Sequence, residues 1–171
     1  MGRYSPSTIA KVGDLNPKRG IVCRTKVVDA ADVATAASVV NIFHVTGRIR
    51  IVSLDLEAIT QLGAQAAVPT WQFVGITPVV AATDFSAVMG TLSGLAAGKR
   101  VTCAGTALNT TPVEDAVAGI TLNPPNEVEL GWDGGECYIS LLGSTALTSG
   151  TVVLTLCYLP MSDGAGVEAL M

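Results

Sequence analysis

Charge is what this chain has least of. Only 14% of its residues are charged, well under the roughly 25% of an ordinary soluble domain. Two stretches of 26 residues, 58–83 and 137–162, carry no charge at all. Glycine and proline break both runs, so neither supplies the ~20 consecutive apolar residues of a membrane helix. Burial between protein subunits is the reading that fits so little charge. Histidine is nearly missing too: His44 is the only one. It lies mid-run among apolar neighbours, where a structural or interface role is expected rather than a place in a Ser-His-Asp arrangement. No G-x-S-x-G motif is present. The four cysteines (Cys23, Cys103, Cys137 and Cys157) form no C-x-x-C unit, so no zinc site is expected. The start of the chain has no apolar h-region and Pro6 stands where myristoylation needs Ser or Thr. With no secretory signal in sight, the cysteines are expected to be reduced, buried thiols.

Other fragments of motifs dissolve on inspection. GLAAGKR at 94–100 is one residue short of a phosphate loop and has Arg100 where a magnesium-binding hydroxyl belongs. Asn109-Thr110-Thr111 reads as a polar turn. Glu127 and Glu129 share a strand face, but calcium would need several more oxygens. No cofactor, no metal and no catalytic residue is expected.

What is present is β-structure. Residues 39–56, VVNIFHVTGRIRIVSLDL, are rich in β-branched and aromatic side chains, with no proline and one glycine. Ile49 and Ile51 alternate with Arg48 and Arg50, but beyond them the apolar positions are Val52, Leu54 and Leu56. The phase has flipped, which predicts a β-bulge near Ile51 and Val52 or a strand passing between sheets. Residues 20–28 form a further strand with one wetter face, and 29–38 a turn or two of helix or a small-residue loop. TWQFVGI at 70–76 makes a strand bending at Gly75, with 77–81 a possible continuation. A short strand is expected at 99–104, and a strand, an N-P-P-N turn and a strand at 120–122, 123–126 and 127–130, with an exposed loop over 109–118 and a short helix or irregular crossing over 83–97. Residues 137–142 should turn Cys137, Ile139 and Leu141 inward, and 150–159 has the two-sided apolarity of a central strand. The expected fold is all-β, a single-domain β-sandwich or flattened barrel of about eight strands. Its parts are an N-terminal arm (1–19), the β-domain (20–160) and a C-terminal tail (161–171).

The net charge of −4 gives no blanket attraction to nucleic acid or anionic membrane, and the distribution says more. Through Lys26 the charges are Arg3, Lys11, Lys18, Arg19, Arg24 and Lys26 against Asp14, whereas from Val101 onward there are acids and no Lys or Arg. Either these are scattered solvated charges or a basic leading segment meets the acidic half of a neighbour. In the arm, Arg3, Lys11, Lys18 and Arg19 would make polar contacts to an acidic patch, with Tyr4 and Ile9 as apolar anchors. Arg48 and Arg50 are expected on a face that meets protein, a solvated face being the alternative.

Two blocks resemble a known class. VVNIFHVTGRIRIVSLDLEAIT resembles the "F-x-V-T-G-x-V-x-V-x-x-L" segment of small virion structural proteins of tailed bacteriophages, the decoration, auxiliary or cement proteins. SGTVVLTLCYLPMSDGAGVEAL resembles their closing "G-x-V-x-x-x-x-x-Y-x-P-L-S-x-x-A-x-V-x-A". The matches are Phe43, Val45, Thr46, Gly47, Gly150, Tyr158, Pro160, Ser162 and Val167, with Met161 where Leu is usual. The resemblance implies a non-enzymatic, oligomeric protein, trimeric in that class, assembled in the host cytoplasm. It would bind major capsid protein on the capsid exterior and bridge coat subunits. It carries over no catalytic residue. Competing expectations are a tail or head-tail connector component and a carbohydrate-binding β-sandwich, the latter with Trp71 or Trp132 exposed as a stacking platform.

Overall fold

The structure is a computed structural model that describes residues 20–33, 39–65, 67–86, 92–102, 113–115 and 128–170. The chain runs β1 (Val22–Asp29), one helical turn α1 (Ala30–Val33), β2 (Val39–Thr46), β3 (Ile49–Ala58), β4 (Thr70–Thr77) and β5 (Val80–Asp84). It continues through β6 (Arg100–Thr102), β7 (Val113–Asp115), β8 (Val128–Leu130), β9 (Glu136–Leu142), β10 (Thr151–Pro160) and β11 (Gly166–Ala169). Every pairing is antiparallel. One sheet has the order β1-β10-β3-β6-β7 with β8 also on β3, and the other β11-β2-β9-β4-β5. The two sheets do not close into a barrel, so the fold is the sandwich of the two expected forms.

The pairings are nested. β1 pairs β10, β2 pairs β9, β3 pairs β8 and β4 pairs β5, as in one long hairpin. Rolling that hairpin up brings β10 against β3 and β9 against β4. This is the arrangement of a jelly roll, with β6–β7 and β11 as additions.

Alternation builds the core. Val152, Leu154, Leu156 and Tyr158 of β10 face Cys137, Ile139 and Leu141 of β9 across the sandwich, each at most 2% exposed. The phase flip in β3 has its expected cause. Cys157 lies opposite Ser53 and Tyr158 opposite Ile51, so Val52 is the extra residue of a bulge. Before it Ile49 and Ile51 point inward; after it Leu54, Leu56 and Ala58 do.

Three expectations need correction. Cys23 and Cys157 form a disulfide, with only Cys137 a free thiol among the described residues. The expectation of reduced thiols rested on compartment alone, whereas the β1–β10 register sets these two directly opposite each other. Residues 166–169, placed in a tail, form β11 and extend the second sheet. Within the stretch read as a loop, 113–115 form β7, paired to β6. The arm 1–19 and the segment 120–126 lie outside the described residues.

The two resembling blocks, 39–60 and 149–170, pack together as one corner. Here the chain passes between the sheets twice, from β2 to β3 and from β10 to β11. Arg48 N donates to Ser162 Oγ at 2.9 Å, and Met161 N donates to Arg48 O at 2.8 Å. Val167 N donates to Tyr158 Oη at 3.1 Å. Gly47 has φ +72°, and a Cβ there would meet Ser162 Oγ at 2.7 Å and Ala165 Cα at 3.0 Å. Only glycine serves both demands.

Candidate interaction surfaces

Arg48 and Arg50 sit on either side of the first residue of β3. Arg50 lies opposite Glu129 of β8 and donates to its Oε1 from Nε at 3.2 Å and Nη2 at 2.7 Å. That hydrogen bond, with the nearby positive charge of Arg50 and Arg48, holds the Glu129 carboxyl below its usual range. Arg48 Nε stands 3.6 Å from Asp133 Oδ1. Farther along β3, Arg100 Nη2 donates to Glu57 Oε2 at 2.8 Å. Part of the chain's charge polarity is therefore met within the chain itself. The side chains of Arg48 and Arg50 keep 42% and 35% of their surface exposed, so a partner can still reach them. Arg3, Tyr4, Ile9, Lys11, Lys18 and Arg19 lie outside the described residues.

The outer faces of the two sheets differ. On β1 and β10 the outward row is Cys23, Thr25, Val27, Thr151, Val153, Thr155, Cys157 and Leu159, with Asp29 at the end of β1 its one charge. Val27 is 58% exposed. Arg24 and Lys26 take the other face of β1, and Arg24 Nε crosses to donate to Val167 O of β11 at 3.0 Å. On the second sheet the outward groups are polar and paired. Ser140 Oγ donates to Asn41 Oδ1 at 2.7 Å, and Gln72 Nε2 to Asp84 Oδ1 at 2.6 Å. His44 Nε2 is 3.3 Å from Glu136 Oε2, and its ring centroid is 5.5 Å from that of Tyr138. The single histidine thus belongs to a cross-strand polar pair.

A groove of about 520 Å³ opens where the end of β1, α1 and the start of β2 meet. Val28, Val40 and Ile42 line it together with Asp29 and Asp32, and Lys26 stands beside them. Sequence reasoning missed it. Asp29 and Asp32 are eleven and eight positions from Val40, the nearest β2 residue of the lining, which joins them only after the chain has turned. The one available signal was the acidic pair breaking an alanine-rich stretch.

Among the described residues no group of three or more His, Cys, Asp or Glu side chains is placed to hold a metal ion, and no helix is long and apolar enough to cross a membrane. Burial pushes the Cys137 thiol up to about 12, which makes it a poor nucleophile near neutral pH. Trp71 is 1% exposed in the core, and half-buried Trp132 packs on Phe73 with centroids 5.2 Å apart. The exposed platform expected of a carbohydrate-binding module is therefore not formed by Trp71.

No family model matches the chain, and comparison with curated proteins finds no match. Among solved structures, a chain in the structure of the infectious bursal disease virus Gx strain superimposes with a TM-score of 0.26 and 13% identity. The match covers 85% of this chain, which spans only 38% of the length of the viral one. Likeness at that level marks no shared family.

Proposed function

We propose that this protein is a virion structural component that binds the outside of a bacteriophage capsid and bridges coat-protein subunits, without enzymatic activity. The observation that carries the reading is the corner formed by the two resembling blocks. Phe43, Val45, Gly47, Tyr158, Ser162 and Val167 are the residues that bury, turn or hydrogen-bond where β2–β3 meets β10–β11. The pattern shared with decoration proteins thus has a structural reason in this chain. The jelly-roll arrangement, which capsid proteins share with lectins and cupins, is compatible with it. The outer row of β1 and β10, whose one charge is Asp29 at the strand end, supports burial against another protein, since a solvated face would carry more charge. Homotrimer formation and contact with the major capsid protein belong to the same proposal. Arg48, Arg50 and the basic arm are the contacts offered to coat subunits.

The test is electron microscopy of particles from the producing host, with the protein located by an epitope label. Density on the shell exterior at full occupancy is the expected result. Label confined to the tail or the portal would favour the connector reading, and label absent from particles would sink both.

A further inference from the structure

The groove beside α1 and the residues that precede β1 have opposite make-up. The groove has an apolar floor of Val28, Val40 and Ile42, with Asp29 and Asp32 outnumbering Lys26 among its charges. Residues 1–19 carry Arg3, Lys11, Lys18 and Arg19 against Asp14, with few apolar side chains, Ile9 among them. In an extended segment Ile9 and Lys11 point to the same side about 7 Å apart. That spacing sets an apolar side chain over the floor while an ammonium group reaches the acids.

We propose that the groove receives residues 9–11 of a second copy of this chain, with Ile9 on the apolar floor and Lys11 beside Asp29 and Asp32. The proposal rests on the reading of residues 1–19 as an arm that clasps a neighbour, and it names the receptor. Chain length favours a neighbour's arm over the protein's own. β1 is extended from Val22 to Asp29, so Asp29 lies about 30 Å along the strand from Gly20. The nine residues from Lys11 to Gly20 also span about 30 Å at full extension. Docking on the same molecule would need the chain to turn back at once beside Gly20 and run almost fully extended along β1. A neighbour's arm arrives without that turn.

The experiment uses the full chain. Unlabelled and nitrogen-15 protein are mixed in equal amounts, treated with a carbodiimide that joins amines directly to carboxylates, digested and analysed by mass spectrometry. Cross-links from Lys11 to Asp29 or Asp32 are expected, with one light and one heavy peptide in about half of them. Ile9→Ser should cut these links about tenfold at limiting concentration, the effect of losing one buried apolar side chain. The assignment falls if Lys11 links only in like-isotope pairs, links only to other acids, forms no link, or links equally well in Ile9→Ser. Mixed pairs from a protein that never binds shells would overturn the virion reading and leave the groove assignment standing. Fully decorated shells without mixed pairs would do the reverse.

Discussion

The two sheets bury similar inner faces and treat their outer faces in different ways. The β1–β10 edge of the first sheet has an outer row whose one charge is Asp29 and is fastened covalently by Cys23–Cys157, while β3 beside it carries the Arg50–Glu129 and Arg100–Glu57 pairs. The β2-β9-β4 sheet is covered by hydrogen-bonded pairs, Asn41 with Ser140 and Gln72 with Asp84. A polar pair exchanges water for a protein partner and contributes modestly, whereas a cross-link restricts the unfolded chain wherever it lies. The second sheet is thus finished by its own side chains, while the β1–β10 edge of the first is stapled and leaves apolar surface for a partner.

The comparison breaks most readily in the shared core. Phe43→Ala in the second sheet should lose about 3–5 kcal/mol, and Leu154→Ala in the first about 2–5 kcal/mol. Both should shift a single cooperative denaturant transition. Separate transitions for the two sheets would show that the core does not join them.

Next in size is the staple. Replacing both Cys23 and Cys157 by Ser should cost about 2–5 kcal/mol, and the loss of amide protection should concentrate in β1. Alkylation of denatured, unreduced protein should leave Cys23 and Cys157 unlabelled. In the folded protein Cys137 should react far more slowly at pH 8 than after denaturation, because its thiol is pushed up to about 12. Rapid labelling of Cys137 in the native state would contradict its burial.

On the polar face the expected effects are smaller. Ser140→Ala removes a hydrogen bond at a position with 0% exposure and should destabilise by about 1 kcal/mol. A loss as large as that of the staple would mean that each pair contributes more than one ordinary hydrogen bond.

The smallest effect is at the exposed Arg50–Glu129 pair. Because the folded carboxyl titrates below 4.5, its contribution is present above 4.5 and fades as pH falls through the lowered folded value. Arg50→Ala should move the Glu129 titration upward, as read by carbon-13 NMR of the carboxyl. No movement would mean the ion pair does not form in solution.

Much of the fold was legible because periodicity reports local environment. The flip between Ile51 and Leu54 announced the bulge at Val52, and the alternation at 137–142 correctly turned Cys137, Ile139 and Leu141 inward. The disulfide was illegible because its partners are 134 positions apart and only sheet order makes them neighbours. β11 escaped notice since four residues are too few for a pattern; backbone bonding to β2 defines it. Arg48 and Arg50 flank the first residue of β3, and their acidic neighbours Asp133 and Glu129 come from beyond residue 128 and could not be foreseen. The groove was hidden for the same reason, since its floor joins residues on two strands of different sheets.

Cys23 is the second residue of β1, so the staple lies almost at the point where residues 1–19 join the sandwich. A tug on that segment would otherwise peel β1 from β10 one backbone hydrogen bond at a time, the weakest way to load a strand pair. Here the tear stops at its first step, since force entering at Val22 passes at once through a sulfur–sulfur bond into β10 and so into the middle of its sheet. The leading segment is therefore anchored like a rope tied to a central beam, able to carry tension without unravelling the edge it hangs from.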